Sequence, residues 1–457
     1  MIRKIAALAI GTVALGTSQA SAQHPPGEQG SPNVRIATHI PMPSASDIKV
    51  EQEMSRPYVY VSTGGPGGAG FDIIDVRNPA KATTIYQWRI ENRELHQGGG
   101  TGGMYVKIKG RYYFVQSVQF RPTGPDADVG GIVFDVTGLP DTSKVKEVAR
   151  IRVPEKPGGF HESFTYKHSD GRALFITTVV APYAHIYDME KVVAGNDPNR
   201  GVVGKVPIPL ENPYGGLGQN ELTQLLNMAL PGYHDFYAGY DPATHQDKLY
   251  GAGAGGYFLW DITKPEEPKL ITSITGVAGV PFGHTFTPDP TGRYAVTETE
   301  YQYAPLRLFD LKPGIDGTVK TISRPIGAWT VNWKNLAHNH EVRWPYVFVS
   351  AYKDGMQVFN MMDPTNPYTV GYYDAFDAPD DMGSANAGVL GSMGGTFGVD
   401  VRNADGLIVT SGRTGFWSFY MDGFTGWNGH QWGMPNISSA QDWDHGPDGA
   451  QKPQKVS

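Results

Sequence analysis

A short unit of sequence recurs seven times along this 457-residue chain. The clearest copy, YVFVSAYKDGMQVFNMMDPTNPYTVGYYD at 346–374, has two β-like runs joined by a tight turn, then a turn containing proline, then a third β-like run. The copies span 58–90, 112–153, 173–208, 248–274, 293–326, 346–374 and, incompletely, 406–422. A β-like run also precedes each unit, as FGHTFTPDP does before TGRYAV. Four antiparallel strands repeated in this way predict an all-β fold, a seven-bladed β-propeller.

The ends of the chain predict how the ring closes. The seventh copy lacks its outermost strand, while NVRIATHIPM at 33–42 is strand-like and belongs to no blade of its own. We therefore expect 33–42 to complete the last blade, because closure by a terminal strand removes the exposed edges that favour aggregation. The predicted propeller covers 23–424. A pair of β-sandwiches is the alternative, but it would not need one unit repeated seven times.

The repeats resemble those of a known family. GMQVFNMMDPTNPYTVGYYD, GYFLWDITKPEEPKLITSI and GFDIIDVRNPAKATTI look like the LVIVD-type repeat of secreted bacterial β-propellers, and this resemblance covers most of the chain. It implies a propeller and leaves the activity open, since propellers host many activities. In overall architecture alone, the chain is also similar to carotenoid-cleaving oxygenases and to selenium-binding, methanethiol-oxidising proteins. Those propellers hold a metal with axial histidines, and the second family uses a cysteine, which this chain lacks.

The first 22 residues have the pattern of a signal peptide. Arg3 and Lys4 precede an apolar run from Ile5 to Leu15, and Ala20-Ser21-Ala22 fits the small-residue rule for cleavage. The apolar run is shorter than the roughly 20 residues that a membrane span needs, so we expect an exported protein, periplasmic or extracellular, without a membrane span. A net charge of −7 argues against nucleic acid as a partner.

Histidines recur where the innermost strand of four consecutive predicted blades begins. The segments FHESF, YHDFY, GHTFT and NHEVR place His161, His234, His284 and His340 at about the same point of blades three to six. The start of an innermost strand lies at the mouth of the central channel, so these side chains are expected to converge. His338, two residues before His340, shares its face if the strand has already begun, and it replaces or joins His340 in that case.

Converging imidazoles predict a metal site. Neutral imidazole is the commonest protein ligand for metals, and a thiol-free histidine cluster favours iron or copper, with zinc or manganese as alternatives. Carboxylates follow three of the histidines: Glu162, Asp235 and Glu341. They are candidate catalytic residues that would move a proton or orient the imidazoles, unless strand alternation turns them away from the channel. The alternative for the histidines is polar lining of a wet channel.

Two further segments complete the predicted organisation. An insertion at 209–232 contains NELTQLLNMAL, which has the apolar spacing of a helix, and it precedes His234. A C-terminal tail covers 425–457, with Trp427 and Trp432 among its aromatic residues.

Three functions follow from these observations. Aromatic residues near the predicted mouth, such as Phe282 and Trp333, favour a small hydrophobic or aromatic substrate. A redox metal would make the protein an oxidase or oxygenase, while a non-redox metal would make it a lyase or hydrolase that uses Lewis-acid chemistry. The third hypothesis is a non-catalytic propeller that binds a ligand or a protein partner. The sequence leaves the oligomeric state open.

Overall fold

The structure, a computed structural model, describes residues 29–42, 45–64, 68–91, 96–120, 123–209, 232–375, 394–428 and 443–444. These residues form 28 strands in seven four-stranded antiparallel sheets. The predicted all-β class and the seven-bladed propeller are therefore confirmed. The signal peptide at 1–22, nearly all of the helical insertion at 209–232, and most of the tail at 425–457 lie outside the described residues.

Strand β1 (Val34–Ile40) comes first along the chain and does not belong to the sheet of the blade that follows it. The first three blades come next. Blade one contains β2 (Ala45–Val50), β3 (Tyr58–Thr63), β4 (Gly70–Asp75) and β5 (Thr83–Arg89). Blade two contains β6 (His96–Ile108), β7 (Arg111–Phe120), β8 (Val129–Asp135) and β9 (Lys146–Arg152). Blade three contains β10 (Ser163–Lys167), β11 (Ala173–Thr178), β12 (Tyr183–Asp188) and β13 (Val202–Pro207).

The remaining blades repeat the same order. Blade four contains β14 (Tyr233–Asp241), β15 (Gln246–Gly253), β16 (Gly256–Asp261) and β17 (Lys269–Thr275). Blade five contains β18 (Thr285–Pro288), β19 (Tyr294–Glu298), β20 (Leu306–Asp310) and β21 (Gly327–Trp329). Blade six contains β22 (His340–Arg343), β23 (Tyr346–Ser350), β24 (Met356–Asn360) and β25 (Tyr368–Tyr373). Blade seven contains β26 (Thr396–Val401), β27 (Ile408–Gly412) and β28 (Gly415–Met421).

The N-terminal strand closes the ring as predicted. Strand β1 pairs antiparallel with β28, from Val34 opposite Met421 to Ile40 opposite Phe416. The side-chain amide of Asn33 also donates to the carbonyl of Val370 in blade six at 2.8 Å. The last blade is thus built from both ends of the described chain, and its outer edge is covered.

Burial explains why each run forms the strand that it does. All six residues of β3 (YVYVST) are buried because both faces of this strand contact other blades, whereas every residue of β5 (TTIYQWR) is exposed or only partly buried. The core therefore lies between blades. Phe114 of blade two, for example, stacks on Tyr60 of blade one at 4.3 Å between ring centroids and contacts Phe71 at 4.7 Å.

Helix is rare in the described residues. It is limited to α1 (Met189–Ala194), α2 (Lys312–Ile315) and the 3-10 turns Pro79–Lys81 and Thr142–Lys144. Within the same residues, no helix has the length and apolar character that crossing a membrane requires.

Candidate metal centre

Four histidines from four consecutive blades form an arc at one end of the central channel. His161 precedes β10, His234 is the second residue of β14, His284 precedes β18, and His338 precedes β22. Neighbouring rings along this arc are 4.5, 3.8 and 4.9 Å apart between centroids. The structure thus brings together four of the five histidines that the sequence predicted as ligands.

Three residues have ligand atoms close enough to share one ion. One ligand atom from each of His234, His284 and Glu300 lies within 4.8 Å of the other two. His284 Nε2 is 3.3 Å from Glu300 Oε2, and His338 Nε2 is 3.9 Å from Glu300 Oε1. Ligand atoms about 2.1 Å from a common ion stand roughly 3.0 to 3.4 Å apart at octahedral or tetrahedral angles, so the first distance already fits bound geometry.

Hydrogen bonding leaves one nitrogen of His284 available. Its Nδ1 is 2.8 Å from the hydroxyl oxygen of Thr285 and 2.9 Å from Glu298 Oε2. Its Nε2 is buried and has no hydrogen-bond partner. A carboxylate beside one imidazole nitrogen, with the other nitrogen turned to a shared point, is the usual arrangement around a metal-binding histidine.

His161 and His234 face each other at the other end of the arc. Their Nε2 atoms are 3.0 Å apart, and the Nδ1 atom of each is buried without a hydrogen-bond partner. Buried polar atoms without a partner are uncommon in folded proteins and call for an explanation such as an ion or an ordered water. The protein's own hydrogen bonds therefore leave both Nδ1 atoms unsatisfied.

Burial keeps the imidazoles in the form that binds metal. Desolvation lowers the pKa of His161 to about 3, and it lowers the pKa of His234 and His284 well below the ordinary value. These rings are therefore neutral near pH 7, with a lone pair free for a cation. Burial also raises the pKa of Glu298 and Glu300. A bound cation would favour the ionised form of both carboxyl groups.

His338 and His340 have different surroundings. His338 Nδ1 lies 2.7 Å from the carbonyl oxygen of Phe397, which leaves Nε2 on the side of Glu300. His340 is the first residue of β22; it is 3% exposed and lies against the backbone of Val296 in blade five. His340 is therefore not part of the three-residue group, and its ligand role stays a prediction.

The three predicted catalytic carboxylates belong to a group of charges around Lys49. Glu162, Asp235 and Glu341 are all buried or nearly so, and Glu341 is 2.9 Å from Arg343 and 3.8 Å from Lys49. Burial raises the pKa of Asp235 to about 7 and that of Glu162 well above its usual range. None of the three belongs to the group that can share an ion. Asp235 has a pKa suited to proton transfer near neutrality.

Glu300 is a candidate metal ligand that the sequence pattern did not predict. It lies in the loop between β19 and β20 with a φ of +54°, and Tyr352, which has a φ of +43°, donates a hydrogen bond to it. Residues other than glycine rarely adopt such φ values, and strain of this kind concentrates at functional sites. The only hint in the sequence is the carboxylate pair in TETEY, at the end of the strand that pairs with the segment after His284.

Comparisons with known proteins support the fold alone. No protein-family model matches the chain, and no curated protein matches it. Among 1114 structurally similar solved chains is Raptor of Chaetomium thermophilum, with a TM-score of 0.52 and 11% sequence identity over 83% of this chain. This chain matches 28% of the length of that chain. Membership of the LVIVD-repeat family remains a prediction.

Proposed function

We propose that this protein is an exported, metal-dependent oxidase or oxygenase that acts on a small organic substrate at the channel mouth. The observation that carries the proposal is the group formed by His234, His284 and Glu300. Two histidines and one carboxylate that leave open positions are typical of non-haem Fe(II) sites that activate oxygen. The signal-peptide pattern and the resemblance to secreted LVIVD-type propellers support export.

The surrounding residues suit this chemistry. His338 and His161 stand on either side of the three-residue group and are available as a fourth ligand or as hydrogen-bond donors to a bound molecule. The ion would supply oxygen activation. Tyr352 would orient Glu300 through its hydroxyl group, and the carboxyl group of Asp235, whose pKa is raised to about 7, would accept or return a proton.

Lewis-acid chemistry is the second candidate, because two histidines and a glutamate also form catalytic zinc sites. A zinc ion held by His234, His284 and Glu300 would supply Lewis-acid chemistry, and the protein would then be a hydrolase or lyase. The identity of the metal separates the two candidates. A non-catalytic binding propeller is the outcome if the protein holds no metal.

Elemental analysis of the untagged protein tests the proposal. The wild type is compared with a His234→Ala, His284→Ala double variant and with a His245→Asn control. His245 lies in an exposed turn with a φ of +53°, which asparagine tolerates. We expect about one equivalent of iron or copper in the wild type and the control, and a loss of at least tenfold in the double variant. The circular dichroism spectrum should be unchanged. One equivalent of zinc would favour the Lewis-acid candidate, and no metal in the wild type would refute both.

A further inference from the structure

Two exposed aromatic side chains lie on the loops that also carry Glu300 and His338. Tyr303 is 56% exposed and Trp333 is 48% exposed, and their ring centroids are 6.5 Å apart with an interplanar angle of 63°. We call this pair the aromatic corner. The two rings contact each other while about half of the surface of each faces solvent, so they form a small exposed apolar patch.

The aromatic corner lies close to the candidate metal centre. Tyr303 follows Glu300 by three residues, and three residues of chain span at most about 11 Å. Trp333 lies in the segment between β21 and β22, five residues before His338. Both loops leave the blades at the end of the channel where the histidines lie, since β18 and β22 begin there. A molecule that rests on the corner is therefore within reach of the metal centre.

Hydrogen bonds join the two backbone segments that carry the rings. The N–H of Tyr303 donates to the carbonyl oxygen of Trp333 at 3.0 Å, and the side-chain amide of Gln302 donates to the carbonyl of Lys334 at 2.8 Å. Tyr303 has a φ of +60°, so Glu300, Tyr303 and Tyr352 provide three of the seven non-glycine residues with positive φ in the described chain. A surface that is held in place before binding loses little conformational entropy when it binds.

We propose that the aromatic corner binds a planar aromatic ring of the substrate while another part of that substrate reaches the metal centre. This inference rests on the proposed function and names its substrate class. Rings that meet at a steep angle offer a third ring one face for offset stacking and one edge for a T-shaped contact. A saturated ring of the same size has no π system and lacks both interactions.

Isothermal titration calorimetry with 2-naphthylmethanol tests the proposal, and decahydro-2-naphthylmethanol is the saturated probe. The proteins are the full-length wild type, Trp333→Leu, Tyr303→Leu and the control Tyr368→Leu. Tyr368 is 57% exposed and lies in β25, the outer strand of blade six, so its replacement removes an equally exposed ring elsewhere. Leucine keeps most of the apolar surface and removes the ring. Metal content and thermal unfolding are measured on the same samples.

We expect the aromatic probe to bind the wild type and the Tyr368→Leu control equally. We expect Trp333→Leu and Tyr303→Leu each to weaken binding roughly tenfold, with metal content unchanged. The saturated probe should bind at least tenfold more weakly than the aromatic one. Equal affinity for both probes, no binding by the wild type, or equal binding by Trp333→Leu would overturn the proposal. Because metal content is measured separately, a protein that holds metal and ignores the probe refutes the aromatic corner alone, and a metal-free protein refutes the proposed function.

Discussion

Replacing His340 with leucine tests whether this histidine is a buried structural residue or a metal ligand. Burial lowers the pKa of His340 to about 3 in the folded protein, whereas an unfolded chain has a histidine pKa of about 6.5. Between these two values the unfolded state binds a proton that the folded state does not. His340 therefore contributes stability that is fully present above pH 6.5 and is lost as the pH falls from 6.5 towards 3.

The size of this effect follows from the two pKa values. At pH 4.5, which is two pH units below the histidine pKa of the unfolded chain, protonation stabilises the unfolded state by about 2.7 kcal/mol, at about 1.36 kcal/mol per unit. At pH 7.5 this loss of stability is close to zero. His340→Leu removes the group, so the difference in unfolding free energy between variant and wild type should change by about 2.7 kcal/mol between these pH values, in favour of the variant at low pH.

Urea unfolding in the presence of a chelator, at pH 7.5 and at pH 4.5, measures this difference. Buried carboxyl groups with raised pKa values, such as Asp235, act in the opposite direction, but they are present in both proteins and largely cancel in the comparison. A difference between the two proteins that does not change with pH would refute the burial of an uncharged imidazole at 340. Loss of bound metal in His340→Leu would instead make His340 a ligand.

Three further predictions concern the centre, the blades and the closure of the ring. Tyr352→Phe removes the hydroxyl group that holds Glu300 and should weaken metal binding by about 10- to 100-fold in a chelator competition; unchanged affinity would contradict the orienting role. In Gly204→Ala the added Cβ would lie 1.9 Å from the carbonyl oxygen of Pro265, so thermal unfolding should show that the variant is less stable by about 1 to 3 kcal/mol. An unchanged stability would mean that blades three and four pack more loosely than this contact indicates. Deletion of residues 1–40 uncovers the edge of β28 and should cause aggregation, seen by light scattering; a stable monomer would show that closure by β1 is dispensable.

The repeat carried most of the information about the fold. Turn residues, alternation and proline-containing turns are local features, so seven copies of one unit could be read as seven blades without knowledge of any long-range contact. The orphan strand-like segment at 33–42 then had one place to pair, beside the incomplete seventh copy, and β1 lies there. The positions of His161, His234 and His284 followed in the same way, because each lies within two residues of the start of the first strand of its blade.

Only the tertiary structure decided which atoms meet. His338 and His340 are two residues apart, and their roles depend on β22 beginning at His340, a boundary that pairing with β23 sets. Glu300 comes from a loop between two strands, and a left-handed backbone conformation and the hydroxyl of Tyr352 hold it beside His284. No local pattern encodes such a contact. The sequence by itself determined the ring and the end of the channel where the histidines gather, since both follow from local periodicity. The packing of blades against one another determined the ligand group, because its members come from different blades and approach only when the ring is closed.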